Sequence, residues 1–151
     1  MRKLTLALLL GLISCASPVS QEALPSVSTS GCIANQDWAA SASRGAEVYA
    51  ANCSYCHQAD GGGVPGRVPT LAGNEPLLAN PDRGIGVILI TQSPAARLHG
   101  MEVQDLVAAL GHLDREAIAD VMSFVLSSWD NCGPAVTPGD VDRVAGTMPS
   151  G

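Results

Sequence analysis

At 151 residues the chain is long enough for one small domain, and 46% apolar against 15% charged residues excludes a disordered polymer. Eight basic residues against fourteen acidic ones give a formal charge of −6, which disfavours nucleic-acid binding or adhesion to anionic lipid through charge alone. Aromatic residues make up only 3%, so something other than aromatic side chains is expected to fill the centre.

Arg2 and Lys3 precede an apolar run over residues 4–13, too short for a bilayer helix of about 20 residues, and residues 1–15 read as an export signal. Its loss would leave six basic residues against fourteen acidic ones, a charge of −8. The run ends in Leu12-Ile13-Ser14-Cys15, which resembles a bacterial lipoprotein box with Cys15 as the lipidated residue; cleavage after Ala16 is the alternative. Several acyl chains on Cys15 would anchor the protein stably, where a single chain would not. Residues 16–31 are rich in Ser and Pro without helical or strand period, and read as a flexible tether.

The folded domain is expected over residues 32–133. A first helix is predicted over 43–51, with Ser43 as N-cap and Gly45 and Tyr49 on one face. A second starts at Asn80-Pro81-Asp82, where Asn80 caps and Pro81 suits the first helical position, and it turns Ile85, Ile88 and Leu89 inward. A third spans 102–110, with Val103, Leu106, Val107 and Leu110 at helical spacing and Gly111 as a stop. The last begins at the N-cap Asp114, with Leu113 and Ile118 as a hydrophobic staple. Ile118, Val121, Met122, Val125 and Trp129 form its apolar stripe. No convincing strand is seen, so the fold class is all-α. Residues 134–151, with Pro134, Pro138 and Pro149, read as an irregular tail.

Two of the five cysteines lie in Cys53-Ser54-Tyr55-Cys56-His57. This C-x-x-C-H spacing is a haem-attachment signal: two thiols add to the haem vinyl groups, and the adjoining His is placed under the iron. A thioredoxin-like motif would follow a strand, and a structural zinc site would need a second paired cluster; neither context is present. One covalent haem c also supplies the aromatic core that the composition lacks. No Ser/His/Asp triad, carboxylate pair or phosphate loop supports an independent enzyme.

Residues 45–61 around this motif, the Val68-Pro69-Thr70-Leu71-Ala72-Gly73-Asn74 segment, and Ser127-Ser128-Trp129-Asp130-Asn131 resemble bacterial class I cytochromes c. Among these the resemblance is to the cytochrome subunits of periplasmic alcohol and aldehyde dehydrogenases. It implies an all-α fold wrapped around haem, with the first and last helices crossing so that Phe124 lies near Gly45 or Tyr49. It implies too that the Pro69 carbonyl holds His57, fixing the tautomer of the ligand. Cys32 and Cys132 flank the two helices that such a fold brings together, which implies a disulfide in an oxidising compartment.

The sixth iron ligand of that family is a Met thioether. Of Met101, Met122 and Met148, the second belongs to an apolar stripe and the third to the tail, which favours Met101. The family's Met-Pro would instead fall near Leu106-Val107, and Met101 is followed by Glu102. His99 and His112 are competitors, and an open sixth position is a further alternative. The expected function is that of a periplasmic, lipid-anchored, monohaem electron carrier between redox proteins such as a dehydrogenase and a terminal acceptor. The alternative is a haem sensor or haem enzyme subunit with an open iron.

Overall fold

The computed structural model describes residues 36–92, 97–98, 101–102, 110 and 112–148. In chain order the elements are α1 (Gln36–Asn52), α2 (Ser54–His57), α3 (Glu75–Ala79), α4 (Asp82–Thr91), β1 (Arg97–Leu98), β2 (Met101–Glu102), α5 (Arg115–Ser127) and α6 (Pro138–Thr147). The domain is helical as expected, with one small exception. β1 and β2 form a two-residue antiparallel pair, Arg97 opposite Glu102 and Leu98 opposite Met101.

The centre of the domain is the crossing of α1 and α5. α1 starts at Gln36 rather than at Ser43, which lies exposed inside the helix. The reason is its buried face: Trp38, Ala42, Ala46 and Tyr49 recur at helical spacing, so the stripe begins earlier than the predicted cap. Tyr49 and Phe124 meet in a tilted contact with ring centroids 5.2 Å apart, the nearness that the resemblance implied. Across the same contact Asp120, only 5% exposed, accepts the Ser41 hydroxyl at 2.6 Å. It also takes a two-pronged guanidinium contact from Arg44 at 2.7 and 2.8 Å. This buried carboxylate is therefore paired and hydrogen-bonded, the condition under which burying a charge is tolerable.

α5 opens as predicted, with the Asp114 carboxylate accepting from the Ala117 amide at 2.8 Å and Leu113 and Ile118 both buried. It stops at Ser127, so Trp129 is not part of its stripe. α4 buries Ile85 and Leu89 and partly buries Ile88. Asn80 does not cap it: the N-cap position is Pro81, without a side-chain bond, and Asn80 instead closes α3. α3 was not predicted; Asn74 caps it by accepting from the Leu77 amide at 3.0 Å. Of the predicted helix over 102–110, Glu102 lies in β2, Leu110 is helical and buried, and residues 103–109 lie outside the described residues.

The segment expected as an irregular tail, 134–151, holds a helix among its described residues. Residues 138–147 form α6, because Pro138 takes the first helical position and Thr137 and Asp140 make a reciprocal capping box. Val141 and Val144 are buried one turn apart, and α6 packs on α4 and α5. The folded domain thus runs beyond residue 133 to Met148, which is itself packed against the core.

Arg143 joins α6 to α4, donating to Asp82 at 2.7 and 2.9 Å. This guanidinium holds the Asp82 carboxyl below the usual range. The Thr137 hydroxyl and amide do the same for Asp140. Both folded-state values are depressed, so their contribution is present above the unfolded value of about 3.9 and fades as pH falls through the folded values. Amide exchange in α6 is expected to accelerate below about pH 4 before exchange in α5 does. At neutral pH, Thr137→Ala should cost about 1 kcal/mol in chemical denaturation. Equal acid sensitivity of α5 and α6 would contradict this.

Candidate haem site

The attachment motif sits where α1 gives way to α2. Cys53 is the N-cap of α2, the Cys53 amide donates to Tyr49 O at 2.8 Å, and the His57 amide donates to Cys53 O at 2.9 Å. The motif is thus wound on one continuing turn, which sets Cys53, Cys56 and His57 as neighbours. Both thiols are free and neither residue is fully buried. Burial pushes the Cys53 thiol up to about 11, with the nearby Cys56 adding to the shift, so it is protonated at neutral pH. Tyr55, between them, is 93% exposed.

His57 is half-buried, which lowers its pKa, while a bond to the Pro69 carbonyl opposes that shift. The Nδ1···O distance is 3.0 Å. A ring that donates from Nδ1 keeps its lone pair on Nε2, the form an iron ligand requires. On this chemistry the residues fit a haem: two free thiols at the right spacing, and an imidazole whose tautomer is set by a backbone acceptor.

The backbone beyond His57 is folded tightly against this turn. The Tyr49 hydroxyl donates to Gln58 O at 2.6 Å, and burial holds that phenol well above its ordinary pKa. Gly61 has φ of 69°, and a Cβ there would lie 2.7 Å from the Trp129 ring. Trp129 is in edge contact with both Tyr49 and Phe124 and donates from Nε1 to Ala59 O at 3.2 Å. Three of the few aromatic side chains are therefore gathered behind the motif. Sequence reasoning singled out Trp129 as stripe and Asn131 as part of a resemblance; the structure gives both a direct hold on the haem-side loop. The signal for this was the SSWDN run itself.

Of the candidate sixth ligands, Met122 is buried at 3% exposure on α5, as a core residue should be. Met148 closes α6 and packs against the core, so the ground for setting it aside as part of a loose tail does not hold. The backbone of Met101 pairs with Leu98 in the β1–β2 turn. His112 is exposed, and His99 lies outside the described residues. Cys15 and Cys32 also lie outside them, whereas Cys132 is disulfide-bonded.

Fold and site together define a helical domain built to carry haem through a C-x-x-C-H motif. A cytochrome c family profile matches residues 42–129, and the chain belongs to the cytochrome c family, whose members hold haem c covalently and transfer electrons. It is 35% identical over 114 residues to the cytochrome c subunit of alcohol dehydrogenase (quinone) from Gluconacetobacter polyoxogenes, covering 68% of this chain and 22% of that subunit. It is 30% identical over 109 residues to cytochrome c-552 of Thermus thermophilus, covering 70% of this chain and 76% of that protein. The gluconate 2-dehydrogenase cytochrome c subunit of Pantoea cypripedii is 31% identical over 100 residues, 64% of this chain and 23% of that subunit. The chain therefore spans about a fifth of the length of the dehydrogenase subunits it matches. No helix among the described residues is long and apolar enough to cross a membrane.

Proposed function

We propose that this chain is an exported, lipid-anchored monohaem cytochrome that relays single electrons from a periplasmic dehydrogenase to a terminal acceptor. Cys53 and Cys56 hold the haem as thioethers, His57 is the axial ligand with Pro69 behind it, and Met101 is the sixth ligand. Haem c, when bound, supplies reversible one-electron iron chemistry. The protein orients the imidazole by setting its Nδ1 against the Pro69 carbonyl, so that an Nδ1–H donates there and Nε2 would be left for the iron. The observation that carries the reading is the C-x-x-C-H turn whose His57 lies 3.0 Å from a backbone acceptor. The dehydrogenase partner is supported by the names of the relatives, and anchoring by the Leu12-Ile13-Ser14-Cys15 box. Pairing of Cys132 with Cys32 is supported by the free state of Cys53 and Cys56 and by the disulfide state of Cys132.

The test begins with acidified organic solvent, which should leave the haem on the polypeptide; complete extraction would refute covalent attachment. The oxidised protein should then show the weak sulfur-to-iron charge-transfer band of His/Met ligation. Met101→Ala should abolish the band and lower the reduction potential, because a soft thioether favours ferrous iron. Loss of the band in Met148→Ala but not in Met101→Ala would reassign the ligand. A high-spin wild-type protein that binds CO readily would indicate an open iron instead. Mass spectrometry of the mature N-terminus should find acyl groups on Cys15, and an unacylated chain starting at Ser17 would contradict the anchor.

A further inference from the structure

We propose that Asn131 is a positioning residue for His57: from the end of α5 it fixes the segment that carries the Pro69 carbonyl. The inference rests on the reading of His57 as the axial ligand. Asn131 is 2% exposed and uses both ends of its amide on main chain. Its Oδ1 accepts from the Gly73 amide at 2.8 Å, while Nδ2 donates to Leu71 O at 2.9 Å and to Val125 O at 2.7 Å. One side chain thereby rivets residues 71–73 to the last turns of α5.

The same segment is gripped from its other side by Gly61. The Gly61 carbonyl accepts from the Leu71 amide at 2.7 Å, the Ala72 amide at 3.1 Å and the Thr70 hydroxyl at 3.1 Å. Gly61 in turn lies against the Trp129 ring, two residues before Asn131. Pro69 is the residue just before this doubly held stretch, so the place of its carbonyl is set by it.

The backbone that delivers Asn131 is strained. Trp129 and Asp130 both lie in the left-handed region, at φ of 53° and 64°. Non-glycine residues persist there only where their surroundings over-determine them. A residue serving only to finish α5 would need the Val125 bond alone. The bonds to Leu71 and Gly73 serve the loop that faces His57.

A firmly placed carbonyl keeps the Nδ1 proton and raises the basicity of the ligand. Loosening it should free that proton. The experiment uses the wild-type holoprotein, Asn131→Ala, Asn131→Asp, and Val141→Ala as a control on α6, whose side chain takes no part in the hydrogen bonds that hold residues 70–73. Haem attachment and the low-spin spectrum are recorded first; their absence in the wild type would defeat the axial-ligand reading rather than this one. Solvent exchange of the His57 Nδ1 proton, followed by NMR on 15N-histidine protein, is the deciding readout, with the reduction potential beside it.

In Asn131→Ala the haem should stay attached while exchange accelerates roughly tenfold, the scale of one lost hydrogen bond, and the potential should move. Val141→Ala should leave both at wild-type values even as its melting temperature falls. Should Asn131→Ala not fold, Asn131→Asp gives the same reading. It keeps the acceptor for Gly73 but sets oxygen against the Leu71 and Val125 carbonyls, and should also exchange faster. Wild-type exchange and potential in a folded Asn131 variant, or equal acceleration in Val141→Ala, would overturn the proposal.

Discussion

Replacing Gly45 by alanine is expected to lower the melting temperature sharply, although alanine is the better helix former by about 1 kcal/mol. The cause is the closeness of the α1–α5 crossing. A Cβ on Gly45 would lie 2.0 Å from the Asp120 carbonyl oxygen, 2.5 Å from its carbon and 2.9 Å from Phe124 Cβ. The first two are backbone atoms, so no change of rotamer relieves the contact. α1 and α5 must separate, weakening the Ser41 and Arg44 bonds to Asp120 and the Tyr49–Phe124 contact together. The cost should reach about 3 kcal/mol, the upper end for overpacking. For a domain of this size that is a fall of about 12 °C or more, measurable by circular dichroism. An unchanged or raised midpoint would show that the crossing is looser than described.

Phe124→Ala should be comparably severe. Phe124 is fully buried, and its ring touches Tyr49 at 5.2 Å and Trp129 at 5.4 Å. Truncating a buried phenylalanine costs about 3–5 kcal/mol, and this one takes two edge or tilted aromatic contacts with it. Urea unfolding should show a lower midpoint with the slope preserved, and Phe124→Leu should recover more than half of the loss. Because Trp129 leans on both Phe124 and Gly61, the alanine variant should also speed amide exchange over residues 61–73. A loss below about 1 kcal/mol would mean that the aromatic cluster is not the keystone of the crossing.

The haem motif was legible in the sequence because its chemistry is local: the spacing of Cys53, Cys56 and His57 is fixed by covalent reach. The start of α5 was legible for a similar reason, since Asp114 and the Leu113–Ile118 pair act within one turn. The Gly45–Phe124 crossing came only from resemblance, because nothing local in either segment announces its partner. α6 was missed because Pro138, like Pro134 and Pro149, reads as a breaker, although proline is at home in a first turn. The early part of α1 was missed because between Trp38 and the predicted start its buried face offers only Ala42, a small residue that gives little hydrophobic signal. The hold of Asn131 on residues 71–73 was beyond reach, since it depends on two left-handed residues whose conformation is imposed by tertiary contacts.

The pairing of α1 with α5 also bears on when the chain can fold. Ser41 and Arg44 meet Asp120 across 79 and 76 residues, so the central contact joins helices far apart in the chain. Closing so long a loop adds little to the equilibrium cost, because each doubling of length costs only about 0.6 kcal/mol. It does slow the search, as folding rates fall when contacts are distant in sequence. A nascent or partly threaded chain that ends before Arg115 has no partner to set into the groove at Gly45. Such a chain would stay open, with Cys53 accessible, until its last quarter arrives.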